Sequence, residues 1–369
     1  MTDYVRTAVL VILVFCMIVL AGDLRSLLRD NLLMLGCIGW GLVLFISMKI
    51  NGSSVRYAMW NVFAASLIIV LLIAVFSKVN LRKYLFVLFL YFLVINTLNN
   101  ASVMFFRNTG IWMAGYKDMD VEYVFFSHVN NGLVCGLNSI LAGCIYSRKY
   151  DRSWEIVNIV NLLYSLCTAV AVRSVTQIVV YCILAAVMII CHLYDRFPGI
   201  GRFLRWIDLK IMMILNCLVF FAVIVLGKTG WMEMIGINSR VHGRRELWDT
   251  VLATIMDHPV IGRGYTSWIN AVLISGKTQT FWHQHSIYLQ ILYETGLVGA
   301  AVFLFLFIVC IIQVGKIRQF DLRFLISVMV GVFFLGMTIE ITTRPEIFLL
   351  LSLCYYLPRY LNRIPETDK

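Results

Sequence analysis

Hydrophobic positions in this chain form long, nearly uninterrupted runs that are separated by short polar stretches. A run of about 20 mostly apolar residues can cross the hydrocarbon layer of a membrane as a helix. We therefore predict an all-α polytopic membrane protein with about 11 transmembrane helices, and a count of 12 stays open. The predicted spans cover residues 5–21, 32–48, 58–76, 84–106, 123–146, 156–172, 174–193, 207–227, 286–312, 323–341 and 346–360.

The composition indicates the same class of protein. Of the 369 residues, 61% are hydrophobic and 14% are charged, whereas a soluble protein has about 25% charged residues. The net charge is +11, but the basic residues lie in short clusters between the apolar runs, which favours lipid contact over nucleic-acid binding. We expect one integral membrane domain over residues 1–369. The first apolar run has no cleavage site after it, so we expect a retained span.

Basic residues are distributed unequally between the two sets of loops, and cytoplasmic loops carry the excess. The richer set contains Arg25, Arg29, Lys78, Arg82, Lys83, Arg148, Lys149, Arg152, Arg196, Arg202, Arg205, Lys316 and Arg318, with Arg359 and Arg363 in the tail. The other set contains Arg6, Lys49, Arg56, Arg107, Lys117, Arg173 and Arg344, together with the long segment 228–285. This bias predicts an outside N-terminus and a cytoplasmic C-terminus, which agrees with an odd number of spans.

Residues 228–285 form the one long polar loop that the pattern predicts. They contain four of the six histidines and four of the nine tryptophans, and tryptophan favours the headgroup layer. From residue 244 to 257 the apolar residues recur at helical spacing, and this stripe consists of Leu247, Trp248, Val251, Leu252, Ile255 and Met256. Pro259 and the turn 262–264 end the pattern. We predict an amphipathic helix that lies in the outer membrane interface.

Several polar groups on the outer side are candidates for chemistry. Arg173 separates two short spans, and a guanidinium there either reaches the lipid headgroups or binds an anion in an outward cavity. Arg244 and Arg245 begin the amphipathic helix, where they either contact lipid phosphate or clamp a substrate diphosphate.

Four further polar residues sit at the ends of predicted spans. His285 opens the ninth span, where it is either a polar cap or a general base, and the pKa of an imidazole suits that role. His283 lies two residues earlier, but no nearby carboxylate or cysteine completes a zinc site. His128 and Asn130 lie at the outer end of the fifth span and either line the same cavity or bond to each other. The ten cysteines lie in or beside apolar runs without C-x-x-C spacing, which favours packing over metal binding or disulfides.

Two motifs between residues 240 and 300 resemble the O-antigen ligase and O-antigen polymerase superfamily, whose members have a glycosyltransferase-C type fold. His285-Ser286 is followed after nine residues by Gly296-Leu297-Val298-Gly299, which is similar to the family pattern His-[Asn/Ser/Gln]-x9-Gly-x-x-Gly. Gly243-Arg244 before Trp248, and Pro259 before Gly262-Arg263-Gly264, look like the family's Gly-Arg-x-x-x-Trp helix and Pro-x-x-Gly-x-Gly turn. Arg173 and the run His128-Val129-Asn130 resemble the family less specifically.

The resemblance implies a glycosyltransferase of the bacterial inner membrane with its active site facing the periplasm. Arg173 and Arg244 would hold the diphosphate of an undecaprenyl-linked glycan, and His285 would be the base. Arg245, Arg263, His283 and Tyr288, together with His128 and Asn130, are expected to bind substrate. The arginines would do the work of a divalent ion, so no metal or cofactor is expected. A chain-length regulator and a flippase are the expected protein partners.

The chain departs from the family at two points. Ala300-Ala301 follow Gly299 where some ligases have Thr-Thr, and relatives commonly have twelve spans with both ends inside. The missing threonines favour a polymerase, which joins two lipid-linked glycans, over a ligase, which transfers the glycan to lipid A–core. A transporter of lipid-linked sugars and a structural scaffold are the alternatives from other classes. Few charges and only five prolines occur, which gives little sign of a central transport path.

Overall fold

A computed structural model describes most of the chain. The described residues are 31–52, 65–106, 129–171, 174–197, 199, 204, 206–228, 238–265, 269–274, 277–281, 284, 286–340 and 345–361. The helices are α1 Leu32–Ile50, α2 Ala65–Phe106, α3 Val129–Lys149, α4 Trp154–Ala171, α5 Val175–Arg196, α6 Leu209–Lys228, α7 Asn238–Asp257, α8 Ile287–Gly315, α9 Phe320–Glu340 and α10 Pro345–Leu361. Two antiparallel strands, β1 Ile269–Ile274 and β2 Lys277–Phe281, lie between α7 and α8.

Five of the described helices are long and apolar enough to cross a membrane, and the protein is a multi-pass membrane protein. These segments are Leu32–Ile50, Arg82–Phe105, Trp154–Ala171, Thr176–Tyr194 and Ile287–Gly315. The shorter helices Leu209–Ala222 and Ile347–Arg359 are also apolar. The predicted first span, residues 5–21, lies outside the described residues, so the count of eleven stays a prediction.

Large apolar side chains cover the outer faces of these helices. On α1 and α8 they include Leu42, Ile46, Leu304 and Ile312, each between 46% and 59% exposed. A soluble protein would not leave such continuous apolar faces in water. The faces opposite to them are packed, so each helix has one side for protein and one side for lipid.

Helix α2 corrects the prediction of separate third and fourth spans. Residues 65–106 form one continuous helix, and the basic stretch 78–83, which we expected to be a cytoplasmic loop, is helical. Neither glycine nor proline occurs between residues 65 and 106, so no residue there interrupts the helical hydrogen bonds. Charged side chains alone do not end a helix, so the basic residues at 78–83 were a poor indication of a loop between two spans.

The chain divides into two compact units. The first contains residues 1–79, 215–316 and 337–369, and the second contains residues 80–214 and 317–336. In the first unit, α8 packs against α1, α10 and α7, and α7 also packs against β1. The close approach of α1 and α8 places Gly36 against the side chain of Leu306 and the ring of Trp40 5.5 Å from that of Phe303.

In the second unit, α4 packs between α3 and α5, and the C-terminal half of α2 joins them. A set of buried neutral polar side chains lies between α2, α3 and α4, and we refer to it as the asparagine seam. Its members are Asn96, Asn99, Asn100, Asn138, Ser139, Asn158, Asn161, Ser165 and Thr168. At the other end of α3, Lys149 Nζ donates to Gln319 Oε1 over 3.3 Å, and Arg148 lies 3.6 Å from Asp321.

Apart from their ends, the predicted spanning segments are helical wherever the structure describes them. The addition that we did not predict is the hairpin of β1 and β2, in which Val272 pairs with Gln279 and Ile274 with Lys277. Between the strands lie only Ser275 and Gly276, a two-residue connection of the kind that closes tight hairpins.

Candidate active site

Helix α7 is the amphipathic helix that the loop pattern predicted. It begins at Asn238, six residues before the predicted start, and ends at Asp257, two residues before Pro259. Its apolar stripe packs on protein, and its position in the membrane interface stays a prediction. Leu247, Trp248 and Val251 form a buried cluster with Phe220, Leu289 and Tyr293, and Leu252 and Ile255 pack against it. Met256 alone of the stripe is largely exposed, at 77%.

Trp248 ties this helix to the segment that carries the predicted base. Its indole Nε1 donates a hydrogen bond to the main-chain carbonyl of Gln284 over 2.9 Å, and both residues are buried. Arg244 lies one helical turn before Trp248 in α7, and His285 follows Gln284 directly in the chain. The two motifs that the resemblance rests on are therefore joined at a defined point.

Helix α8 is interrupted at Gly296, whose φ of 61° and ψ of −159° are not helical. In an unbroken helix, the Leu297 and Val298 N–H groups would donate to the carbonyls of Tyr293 and Glu294. Instead, these N–H groups and these carbonyls all form hydrogen bonds with the main chain of the turn after α7. Arg263 N and Gly264 N donate to the Tyr293 and Glu294 carbonyls over 2.7 and 3.0 Å, and Leu297 N and Val298 N donate to the Pro259 and Val260 carbonyls over 2.9 and 3.1 Å.

These four bonds form what we call the main-chain clasp, residues 259–264 with residues 293–298. Each bond that the break removes from the helix is replaced by one to the turn, so no buried main-chain group is left unpaired at these positions. The Pro-x-x-Gly-x-Gly and Gly-x-x-Gly motifs are thus two halves of one structure.

Glycine is required at both centres of the clasp. A Cβ atom on Gly262 would lie 2.5 Å from Thr295 N, and one on Gly296 would lie 2.5 Å from the carbonyl of Val260. Both glycines also have positive φ, 74° and 61°, which L side chains rarely adopt. Backbone therefore meets backbone with no room for a side chain.

Helix α1 supports the clasp from one side. Ser47 Oγ donates to the Glu294 carbonyl over 2.7 Å, and Asn51 Nδ2 donates to the carbonyls of Gly262 and Ser47 over 3.0 and 2.7 Å. The side chain of Glu294 is buried, and its Oε1 accepts a hydrogen bond from Gln290 Nε2 over 2.7 Å. The first two turns of α8 are thereby held on several sides.

The predicted site residues differ in how far the structure describes them. His285, His283, Arg173 and His128 lie outside the described residues. Arg244 and Arg245 belong to the described helix α7, and Asn130 to the first turn of α3. Asn130 belongs to the second unit. The expected place of Asn130 and Arg173 in one site with Arg244 and His285 stays a prediction.

Two predicted substrate-binding residues are described in full. The ring of Tyr288 lies 5.1 Å from that of Phe220, so this side chain packs against the middle of α6. The side chain of Arg263 is exposed, and its main-chain N–H is one of the four bonds of the clasp. Neither contact tests binding of substrate.

The structure also reveals groups that sequence reasoning missed. Gln284, Ser286 and Glu294 are buried polar residues in or beside the His285 motif. A polar residue at the start of an apolar span was the available signal, since such residues are rarely buried without a role. The described part of the chain contains no group of three or more histidine, cysteine or acidic residues that would hold a metal ion. No disulfide bond joins Cys37, Cys144, Cys167, Cys182, Cys191, Cys217, Cys310 or Cys354.

Comparison with known proteins agrees with this geometry. A protein-family model described as O-antigen ligase matches residues 160–304, a stretch that includes α7, the clasp and the first half of α8. No curated protein matches the chain significantly. The matched stretch contains both motifs that the structure joins, and the resemblance inferred from the residues is confirmed. Residues 160–304 are thus similar to the O-antigen ligase family.

Proposed function

We propose that the protein is a glycosyltransferase that polymerises O-antigen or a related surface polysaccharide. It transfers a glycan from undecaprenyl diphosphate to the terminal sugar of another lipid-linked glycan. The observation that supports this proposal is the bond between Trp248 and Gln284, because it joins the helix that contains Arg244 to the residue before His285 in the chain. A cation and a base held on rigid, neighbouring elements are what a glycosyl transfer from a diphosphate requires.

The proposed reaction is a single displacement. His285 accepts the proton of an acceptor hydroxyl while that oxygen bonds to the anomeric carbon of the donor sugar. The bond between the anomeric carbon and the diphosphate oxygen breaks, and undecaprenyl diphosphate leaves with the electron pair. Attack from the face opposite the leaving group inverts the anomeric centre.

The leaving group gains negative charge as the bond breaks, and arginine is well suited to hold it. A guanidinium is always charged and can bond two phosphate oxygens at once. Arg244, with Arg245 beside it, is the proposed diphosphate ligand. Arg173 is the proposed second cation, because the charge bias of the loops assigns it to the same side of the membrane as the long loop.

A ligase is the second candidate within the superfamily, and one feature of the sequence separates the two. Ala300 and Ala301 follow Gly299 in α8, where some ligases have two threonines. This difference favours the polymerase. A ligase would use the same cation and base but would accept lipid A–core in place of a second lipid-linked glycan.

The asparagine seam is the one observation that favours a transporter. Buried polar groups inside spans often mark a substrate path. Here, however, the amides bond across helices: Asn96 Nδ2 donates to Asn161 Oδ1 and Ser165 Oγ, each over 2.8 Å, and Asn161 Nδ2 donates to Ser139 Oγ over 2.9 Å. Bonds of this kind hold helices together. We therefore favour catalysis over transport.

The test is the banding pattern of surface lipopolysaccharide in a strain that lacks this gene, complemented with wild type or with His285→Ala. For a polymerase, the ladder with His285→Ala collapses to core plus one repeat unit. For a ligase, every O-antigen band disappears and lipid-linked polymer accumulates. An unchanged ladder with His285→Ala contradicts both functions.

A matched control is His192→Ala, because this histidine is exposed near the end of α5 and has no proposed role. It should restore a full ladder. Immunoblots of the membrane fraction must show equal amounts of both variants, so that loss of the ladder reports loss of chemistry.

A further inference from the structure

Two buried side chains on either side of residue 285 have polar atoms that nothing in the described chain satisfies. Gln284 is 2% exposed and Ser286 is 1% exposed. Gln284 Oε1 and Ser286 Oγ have no hydrogen-bond partner among the residues that the structure describes. Buried polar atoms in native proteins are normally bonded, and unpaired ones call for an explanation such as a ligand.

Ser286 is unusual because of its position. It is the N-cap of α8, with extended φ and ψ of −158° and 127°, and its carbonyl accepts the first helical bond from Gln290 N over 2.9 Å. A serine at an N-cap normally uses its hydroxyl to accept from an N–H of the first turn. Ser286 makes no such bond. The hydroxyl is therefore free for another partner although the helix could have used it.

In Gln284, as in Ser286, the main-chain carbonyl is hydrogen-bonded and a polar side-chain atom is not. Its carbonyl accepts the Trp248 indole N–H, so the main chain is held in place. Its amide oxygen takes no part in that contact. The main chains of Gln284 and Ser286 are thus held by hydrogen bonds, and a polar side-chain atom of each is unpaired.

The kind of unpaired atom indicates the kind of ligand. An amide oxygen only accepts hydrogen bonds, and a serine hydroxyl can accept or donate. Phosphate oxygens at neutral pH mainly accept, so they cannot satisfy Gln284 Oε1. Sugar hydroxyls donate and accept, and they match both groups. A sugar, rather than the diphosphate, is the ligand that fits. The sugar whose hydroxyl must meet the proposed base at residue 285 is the acceptor.

We infer that Gln284 and Ser286 bind hydroxyl groups of the acceptor sugar and so present one hydroxyl to the base at residue 285. This inference rests on the proposed glycosyl transfer and assigns its acceptor side. Arg244 and Arg245 would bind the diphosphate of the donor, and the residues at the start of α8 would bind the acceptor sugar. The two substrates would then meet at His285.

The experiment separates donor from acceptor with purified full-length protein in lipid nanodiscs. The donor is the lipid-linked repeat unit at fixed concentration, and the acceptor is an alkyl glycoside of the same repeat unit, which has the hydroxyls but no diphosphate. Gln284→Leu and Ser286→Ala should each raise the KM for the alkyl glycoside about tenfold, the effect of one lost hydrogen bond. Binding of labelled donor should not change.

Ser286→Thr keeps a hydroxyl at the same position and should restore the KM of wild type. This variant distinguishes a lost contact from a misfolded helix start. The inference is overturned if donor binding weakens as much as the acceptor KM rises, if the acceptor KM stays at the wild-type value, or if Ser286→Thr does not rescue.

Failure of the proposed function gives a different result. If wild type transfers no sugar from the lipid-linked donor, or if His285→Ala transfers as well as wild type, the glycosyl-transfer proposal fails and the acceptor site fails with it. If wild type is active, His285→Ala is inactive and the Gln284 and Ser286 variants behave as wild type, only the acceptor site is wrong.

Discussion

The main-chain clasp and the asparagine seam hold their helices together in opposite ways. In the clasp, four main-chain hydrogen bonds join residues 259–264 to residues 293–298, and the glycines supply space and backbone conformation. In the seam, amide and hydroxyl side chains bond across α2, α3 and α4 while the helices keep their regular backbones. One region depends on the absence of side chains, and the other depends on their identity.

This difference bears on what each region can do. Main-chain bonds fix atomic positions rigidly, because they leave no rotamers to sample, and a catalytic centre needs that precision. Side-chain bonds in a membrane protein are weaker, about 0.6 kcal/mol each on average, and they stabilise packing. The candidate active site lies beside the clasp, and the proposals of base and cation rest on that rigid support.

The largest effect is expected from Gly296→Ala. The new Cβ would lie 2.5 Å from the Val260 carbonyl, and the residue would have to keep a φ of 61°. Strain of this kind and the lost clasp bonds should cost about 3 kcal/mol or more. We expect little folded protein, measured as the monodisperse fraction after solubilisation and as the unfolding temperature in detergent.

Gly315→Ala is the matched control for this variant. Gly315 is the last residue of the same helix, and a Cβ there meets no atom within 4 Å. It should behave as wild type. If Gly296→Ala is as stable as Gly315→Ala, backbone contact is not what holds α8 to the turn.

Trp248→Phe should have the next largest effect, and on activity more than on stability. Phenylalanine keeps the ring in its cluster but removes the donor to the Gln284 carbonyl, which should cost about 1–2 kcal/mol of stability. The segment before residue 285 would lose its anchor, and we expect the O-antigen ladder to shorten or disappear. Trp206→Phe is the control, because Trp206 is 77% exposed. Equal ladders from the two variants would show that the anchor does not matter for catalysis.

Asn161→Leu tests the seam and should have a smaller effect. Asn161 accepts from Asn96 and donates to Ser139, so leucine removes two hydrogen bonds, while the bond from Asn96 to Ser165 remains. We expect a loss of about 1–2 kcal/mol in the free energy of unfolding. Val160→Leu changes the adjacent residue, which is 60% exposed, and should be neutral. Loss of the ladder at normal stability would instead show that the seam handles substrate.

Local patterns in the sequence predicted much of this architecture. Helical periodicity predicted α7 and its end before Pro259. The family resemblance put Arg244 and His285 in one active site, and this stays a prediction. Periodicity reports that a stripe is buried but not what covers it, so the cover of α7 by α8 and Phe220 was missed. The clasp was also missed, because glycines in a sequence indicate a turn but do not indicate which distant carbonyl groups the turn will bond to.

Other features had signals that we did not use. The lack of glycine and proline over residues 65–106 was visible and indicates one helix. The hairpin was marked by Ser275-Gly276 between the apolar run 271–274 and an alternating Thr-Gln-Thr. The seam went unnoticed because we counted charged residues inside the spans, whereas its members are neutral asparagines and serines. Neutral amides carry much of the buried polar chemistry in this membrane protein.

Arg263→Ala should have the smallest effect on stability and gives the sharpest test of the distinction between main chain and side chain. The guanidinium is exposed, and the contribution of this residue to the clasp is its N–H, which alanine retains. The free energy of unfolding should change by less than about 0.5 kcal/mol. Thermal unfolding in detergent measures this, and a large loss would mean that the side chain, not the backbone, holds the turn to α8.

If stability is unchanged, the O-antigen ladder tests the other role expected of Arg263, which is substrate binding. A weaker ladder would mean that the guanidinium binds the substrate, as predicted from the motif, because no structural defect would remain to explain it. A full ladder would mean that Arg263 contributes only its main-chain hydrogen bond. Arg244 and Arg245 would then be the cations proposed to bind substrate in the loop.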